Sequence, residues 1–177
     1  FLVCEFCCRN MVGKSDFAAL LPKAQLEATV RQWLDDDIPS FDVGGLVVGT
    51  KPREAQLFMK SPGIFAGRPF FDAVFHALNC TVIWQESVAV EGEMVWATSD
   101  YKILMATVSG PVNALLQGER TALNTLSRCS GVATLSAEAV DMARAIGWTG
   151  LVAGTRKTTP GFRIVEKYGL LVGGAAT

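Results

Sequence analysis

The chain has 177 residues, half of them hydrophobic and 19% charged, with sixteen cations against seventeen acids for a formal net charge of −1. This composition excludes an extended disordered protein and a broad basic surface for nucleic acid, so any anion site must be local, made by a few placed cations. The length suits one good core or two small domains, and no apolar stretch reaches the roughly 20 residues that cross a bilayer.

The opening FLVCEFCCRN is apolar and cysteine-rich, without the basic start or small-residue cleavage site of a secretory signal. Residues 1–11 are expected to form a disordered tail, with an ordinary polar segment beginning at Met11. Cys4, Cys7 and Cys8 crowd that tail, while Cys80 and Cys129 stand alone. One Cys-x-x-Cys with no second pair, and a lone His76 expected to sit satisfied at a helix edge, indicate neither a zinc site nor a disulfide framework. A reduced, cytoplasmic protein follows as the default. The segment CRNMVGKS (8–15) nearly fits a phosphate-cradling loop, but Cys8 stands where the first glycine is required.

From Leu20 to Asp36 the apolar positions 21, 26, 30, 33 and 34 make a helical stripe that stops at DDDIPS. AQLFMK (55–60) predicts a strand ending in the turn Ser61-Pro62-Gly63. PFFDAVFHAL (69–78) predicts a helix with Phe70, Phe71, Val74, Phe75 and Leu78 on one side. CTVIWQ (80–85) and KILMATVSG (102–110) predict strands, and EGEMV between them a turn and a further strand edge. This mixture predicts an α+β domain over residues 12–112.

After Pro111 the pattern changes. Residues 112–128 and 132–146 predict two helices broken near CSGV, followed by Gly150-Leu-Val-Ala-Gly154, a short apolar strand ringed by glycines. Helix, buried strand, polar loop and helix in that order begin a β/α unit of a parallel sheet or barrel. One such strand cannot bury both its faces. Residues 113–177 are therefore expected to be linking helices and the start of a second domain that is cut short, with apolar surface left exposed over 148–177.

Two places could carry chemistry. On a helical wheel Val112, Leu115, Leu116, Ala122, Leu123 and Leu126 share one arc, with Glu119 at its centre and Arg120 on its flank. A charge inside an apolar stripe costs several kcal/mol unless paired or facing a polar cavity. Glu119 is then either a buried partner for a cation or part of a site, and Arg120 either a surface arginine or its neighbour in that site. The second place is GTRKTTPGFR (154–163), where Arg156 and Lys157 follow the predicted strand. Adjacent cations repel each other unless an anion lies between or opposite them. Arginine offers a planar fork for a carboxylate and lysine a point charge for phosphate, with threonine hydroxyls as neutral donors. An anionic small-molecule site and a solvated basic loop both remain open from pattern alone.

Three segments, KSPGIFAGRPFFDAVF (60–75), LLQGERTALNTLSRCSGVAT (115–134) and GTRKTTPGFRIVEKYGLLVGGA (154–175), resemble the quinolinate phosphoribosyltransferase family, and the likeness extends over about residues 12–177. The resemblance implies an N-terminal α/β sandwich (a mixed sheet with helices) followed by the first part of an incomplete α/β barrel. It implies transfer of phosphoribose from phosphoribosyl pyrophosphate to quinolinate in NAD biosynthesis, giving nicotinate mononucleotide, pyrophosphate and CO2. Magnesium (Mg2+) assists, though no metal ligand is identified in this chain. By the same resemblance Arg120 reaches the quinolinate site of a neighbouring subunit, in a homo-oligomer that is a dimer or a hexamer of dimers. Arg156, Lys157 and Thr158 line the dicarboxylate and phosphoribosyl site from within the subunit, and Glu119, from its place in the apolar stripe, is a candidate to support that site. The family continues past the position of Thr177 into a His-Arg pair, so this chain is expected to hold only part of the site. An inactive truncated product that acts by assembling with full-length subunits is the alternative. TSDYKI (98–103) looks longer than the family's connection there, which puts the local strand register in question. DDDIPSFDVGGL (35–46) lacks the family's frequent Gly-Asp-[Leu/Ile]-Thr.

Overall fold

The computed structural model describes residues 14–177, so the expectations for the tail and for most of CRNMVGKS lie outside the described residues. After a 3₁₀ segment, Lys14–Leu20, the order is α1 (Lys23–Asp37), α2 (Val43–Val48), β1 (Pro52–Met59), β2 (Gly63–Ile64) and α3 (Arg68–Ala77). Then come β3 (Thr81–Trp84), β4 (Met94–Val95), β5 (Ile103–Pro111), α4 (Val112–Ala145) and α5 (Arg163–Val172). The fold is α+β, as the element pattern predicts. β5 is the centre of a three-stranded antiparallel sheet of order β1-β5-β3, and β2 pairs with β4 in a separate ribbon. Leu57 faces Ala106 while Phe58 faces Leu104, so Met105 is an extra residue that bulges β5 just after the 98–103 connection.

The stripes read from sequence are the ones that pack. Leu26 and Val30 of α1, and Phe70, Phe71, Val74 and Phe75 of α3, are buried together in one core. The N-terminus of α3 shows how tertiary contact completes local structure. Gly67 precedes it with φ 109°, a left-handed conformation that favours glycine, and so has no side chain to cap the helix. Glu91 does this from 24 residues away, its Oε1 accepting from the Gly67 N–H at 2.6 Å and its Oε2 from that of Arg68 at 3.3 Å. Burial pushes the Glu91 carboxyl above its usual range, and the two backbone donors pull back against it.

The largest departure from expectation is α4. One unbroken helix of 34 residues, about 50 Å long, replaces the two predicted. The polar residues that suggested a break are used sideways. Ser130 Oγ accepts from the Ala66 N–H and donates to the Ala66 carbonyl, while Thr134 Oγ1 accepts from the Ile64 N–H. Gly131 costs about 1 kcal/mol of helix propensity, less than the packing of α4 against α3 on one side and α5 on the other can offset.

The predicted strand 150–154 is also reduced. Only Ala153 pairs, in parallel with Ala176, through Gly154 N–H to Ala176 O at 2.9 Å and Ala176 N–H to Val152 O at 2.8 Å. Leu151 is 76% exposed, as one parallel bridge offers nothing to cover it, and Ile146 and Trp148 beside it are exposed too. The short β-α-β unit 152–176 is nevertheless tied to the rest. Val165, Tyr168 and Val172 of α5 join the same core as α3, with Tyr168 edge-to-face on Phe70 at 5.3 Å. A methyl group at Gly169 would lie 2.7 Å from the Cys129 carbonyl, and one at Gly173 would collide with the Ala133 carbonyl, so α5 approaches α4 backbone to backbone. Gly169→Ala should therefore destabilise the chain by about 1–3 kcal/mol, lowering the thermal midpoint by several degrees in circular dichroism. An unchanged midpoint would show that α5 is not held at this spacing.

Candidate functional site

The loop after Gly154 is built around one carboxylate. Glu166, in the first turn of α5, accepts from the Thr159 N–H (3.0 Å), the Thr159 hydroxyl (2.7 Å) and Arg128 Nη1 of α4 (2.9 Å). Thr158 is half-buried and its Oγ1 accepts from Arg163 Nε at 3.0 Å, while the Lys157 N–H donates to Thr155 Oγ1 at 3.1 Å. The outcome is a loop whose backbone is pinned at 155, 158 and 159. Arg156 and Lys157 are exposed between those pins and have no side-chain partner among the described residues. They sit directly past the carboxyl end of the 152–154 segment.

Burial pushes Glu166 upward, but the bonds from Thr159 and then Arg128 outweigh it, so its carboxyl lies below the usual carboxylate range. A group depressed in the folded state contributes stability above its ordinary pKa of about 4.3, lost as pH falls through the folded value. Glu166→Gln should thus cost about 1 kcal/mol at pH 7, and the difference should shrink as pH falls below the ordinary carboxylate range and through the lowered folded value. Denaturant titrations over that pH range check this; a pH-independent difference would mean that charge is not what pins the loop.

Arg120 lies elsewhere. Its Nη1 donates to Asp37 Oδ1 at 2.9 Å, and it lines an open cleft of about 580 Å³ formed by Asp37, Ile38 and residues 41–44 of the α1–α2 region and by Leu116, Gln117, Glu119, Leu123 and Asn124 of α4. Eight residues, or about 12 Å of helix rise, separate it from Arg128, the α4 residue that touches the 154–163 loop. Among the described residues no hydrogen bond or ion pair joins Arg120 to Arg156, Lys157 or Thr158, and those three do not line its cleft.

Glu119 corrects the helical-wheel reading. It is exposed, with no ion pair among the described residues, and borders the Arg120 cleft and the open groove along β1. The buried face of α4 is turned by one position, to Leu115, Gly118, Ala122, Thr125, Leu126 and Cys129, leaving Leu116 44% and Leu123 37% exposed. Apolar residues cover so much of α4 that their arc does not say which part faces inward. The close approach of Phe75 and Leu78 to Gly118 decides it. His76 is exposed on α3, and among the described residues no three His, Cys, Asp or Glu side chains converge to hold a metal.

Residues 41–130 match the family described as quinolinate phosphoribosyl transferase, N-terminal domain, and residues 132–177 match its C-terminal domain. The chain belongs to the quinolinate phosphoribosyltransferase family. It is 55% identical over 160 residues to the human nicotinate-nucleotide pyrophosphorylase [carboxylating], covering 90% of this chain and 52% of that relative. The Dictyostelium discoideum relative of the same name is 41% identical over 170 residues, covering 92% and 57%. Among solved structures, NadC from Streptococcus pyogenes superposes with a TM-score of 0.77 at 31% identity, covering 88% of this chain and 54% of that one. The nicotinate-nucleotide pyrophosphorylase from Francisella tularensis gives 0.76 at 26%, covering 88% and 53%. The chain spans about half the length of the relatives it matches. In this family frame the fold is the sheet-and-helix N-terminal part followed by the first β/α unit of the barrel part.

Sequence reading missed Glu166, Arg128, Asp37 and Asp42. Glu166 stands seven residues after Thr159, outside the three-residue spacing of a capping box. Asp37 carried a faint signal, because three successive carboxylates at the end of a helix oppose its dipole.

Proposed function

We propose that this chain carries part of a phosphoribosyl-transfer site, in which quinolinate and phosphoribosyl pyrophosphate give nicotinate mononucleotide, pyrophosphate and CO2. The observation that carries the reading is the position of Arg156, Lys157 and Thr158, on a pinned loop immediately after the parallel bridge of a β-α-β unit. In such architectures the loops at the carboxyl ends of the strands form the mouth of the active site. Family membership and the names of the relatives point to the same chemistry.

The reaction needs charge neutralisation and alignment more than a protein nucleophile. The pyridine nitrogen forms a bond to the ribose C1′ as the bond from C1′ to pyrophosphate breaks, and pyrophosphate leaves with that electron pair. The nitrogen is now cationic, so the electron pair released when the neighbouring carboxylate departs as CO2 is stabilised at C2 until a proton from solvent replaces it. Arg156 suits a ring carboxylate bidentately, Lys157 a second carboxylate or a phosphate, and Thr158 a neutral contact. Among the described residues no cluster of side chains is arranged to hold magnesium, which when bound would supply neutralisation of phosphate charge. Two free buried cysteines, Cys80 and Cys129, accord with a cytosolic setting.

Within the chain Arg120 is bonded to Asp37 and to no residue of the 154–163 loop, which favours a second copy whose loop would meet Arg120 across a subunit boundary. Mixed with a full-length relative bearing alanine at the position matching Arg120, this chain should restore nicotinate mononucleotide formation, followed by chromatography. No product at any mixing ratio would remove Arg120 from that role. Arg156→Lys should weaken calorimetric binding of quinolinate by about 1.5–3 kcal/mol as the bidentate fork is lost. An unchanged dissociation constant would exclude Arg156 as the carboxylate fork.

A further inference from the structure

We propose that Asp37 is a positioning residue for Arg120, fixing its guanidinium at the lip of the cleft with its remaining donors open to an anionic ligand. The inference rests on the reading that Arg120 binds a substrate carboxylate.

Asp37 ends α1 in the run Asp35-Asp36-Asp37, with no basic residue in the last turn. Negative charge at a helix C-terminus works against the helix dipole, so this placement weakens α1 by itself. A local rule broken in this way calls for a compensating contact or a function. Asp35 and Asp36 point to solvent, whereas the Asp37 side chain is 19% exposed and turned to α4. There it meets the Nη1 of Arg120, a residue 83 positions away whose own side chain is 71% exposed. No other bond holds Arg120 among the described residues, which leaves Nη2 and Nε uncommitted. One helical turn before it, Gln117 is held in the same manner, its Nε2 donating to Asp42 Oδ2 at 2.7 Å. Asp42 is itself fixed, its other oxygen accepting from the Gly45 N–H at 2.8 Å as the cap of α2. Asp37 and Asp42 thus hold two polar positions of α4, one turn apart, along one wall of the cleft.

A long exposed arginine explores many rotamers, and ordering it on ligand binding costs affinity. A carboxylate that accepts from one Nη while leaving the other edge of the fork open removes part of that cost in advance. The opposing effect is electrostatic, because Asp37 also repels an incoming dianion. Positioning and repulsion predict opposite results for Asp37→Ala, which makes the idea testable.

The full chain, 15N-labelled, would be studied with Asp37→Ala, Asp37→Asn and Arg120→Ala, using quinolinate as the probe. Relaxation of the Arg120 Nε–Hε group reports its order directly. Asp37→Ala should turn an ordered signal into a mobile one and weaken quinolinate binding about 2- to 10-fold. Asp37→Asn keeps an oxygen acceptor and should retain both order and affinity within about twofold. Unchanged order in Asp37→Ala, or tighter quinolinate binding by it, would overturn the positioning role. If Arg120→Ala binds quinolinate as well as the parent chain, the assignment of Arg120 to the ligand fails instead, and the relaxation result still judges whether Asp37 orders it.

Discussion

The close passage of α5 across α4 sets the terms for the rest of the molecule. Gly169 and Gly173 have no side chains where the carbonyls of Cys129 and Ala133 approach, so the two helices pack backbone to backbone. That spacing places Val165, Tyr168 and Val172 in the core already formed by the aromatic face of α3. The same passage brings Arg128 within reach of Glu166 and Thr159, which fixes the cationic loop. A larger side chain on either helix would move the loop as well as the core.

Charge in this chain is used at separate points. Glu91 replaces the cap that Gly67 cannot supply, Glu166 ties the 154–163 loop to α4, and Asp37 and Asp42 hold Arg120 and Gln117. Each carboxylate bridges segments far apart in the sequence and accepts from an N–H donor of the segment it holds. Arg156 and Lys157 differ from these residues. Their charges are presented to solvent from a backbone that is itself restrained, an arrangement suited to meeting an anion that arrives from outside.

Family-level likeness and local geometry contribute different parts of the functional reading. The Gly118-Glu119-Arg120 and Arg156-Lys157-Thr158 motifs indicate which chemistry to look for, while within the chain Arg120 is bonded to Asp37 and not to the loop. The proposed sharing of the site between copies would give an outward role to the partly exposed Leu116 and Leu123, which border the same cleft as Glu119 and Arg120.

Periodicity determined α1, α3 and the strands β1, β3 and β5 to within a few residues, since burial of one face imposes a repeat that any sequence must show. The family resemblance marked Arg120 as a candidate, and the adjacent charges of Arg156 and Lys157 marked the loop, because like charges side by side carry a cost unless an anion is near. Tertiary structure decided what periodicity could not. It kept α4 continuous through Ser130 and Gly131, turned Glu119 out of the core, and reduced the 150–154 strand to a single bridge. It also chose the carboxylates that hold Arg120, Gln117 and the 154–163 loop, because each acts on a partner distant in sequence, and no local pattern encodes the distance between two segments that meet only when the chain is folded.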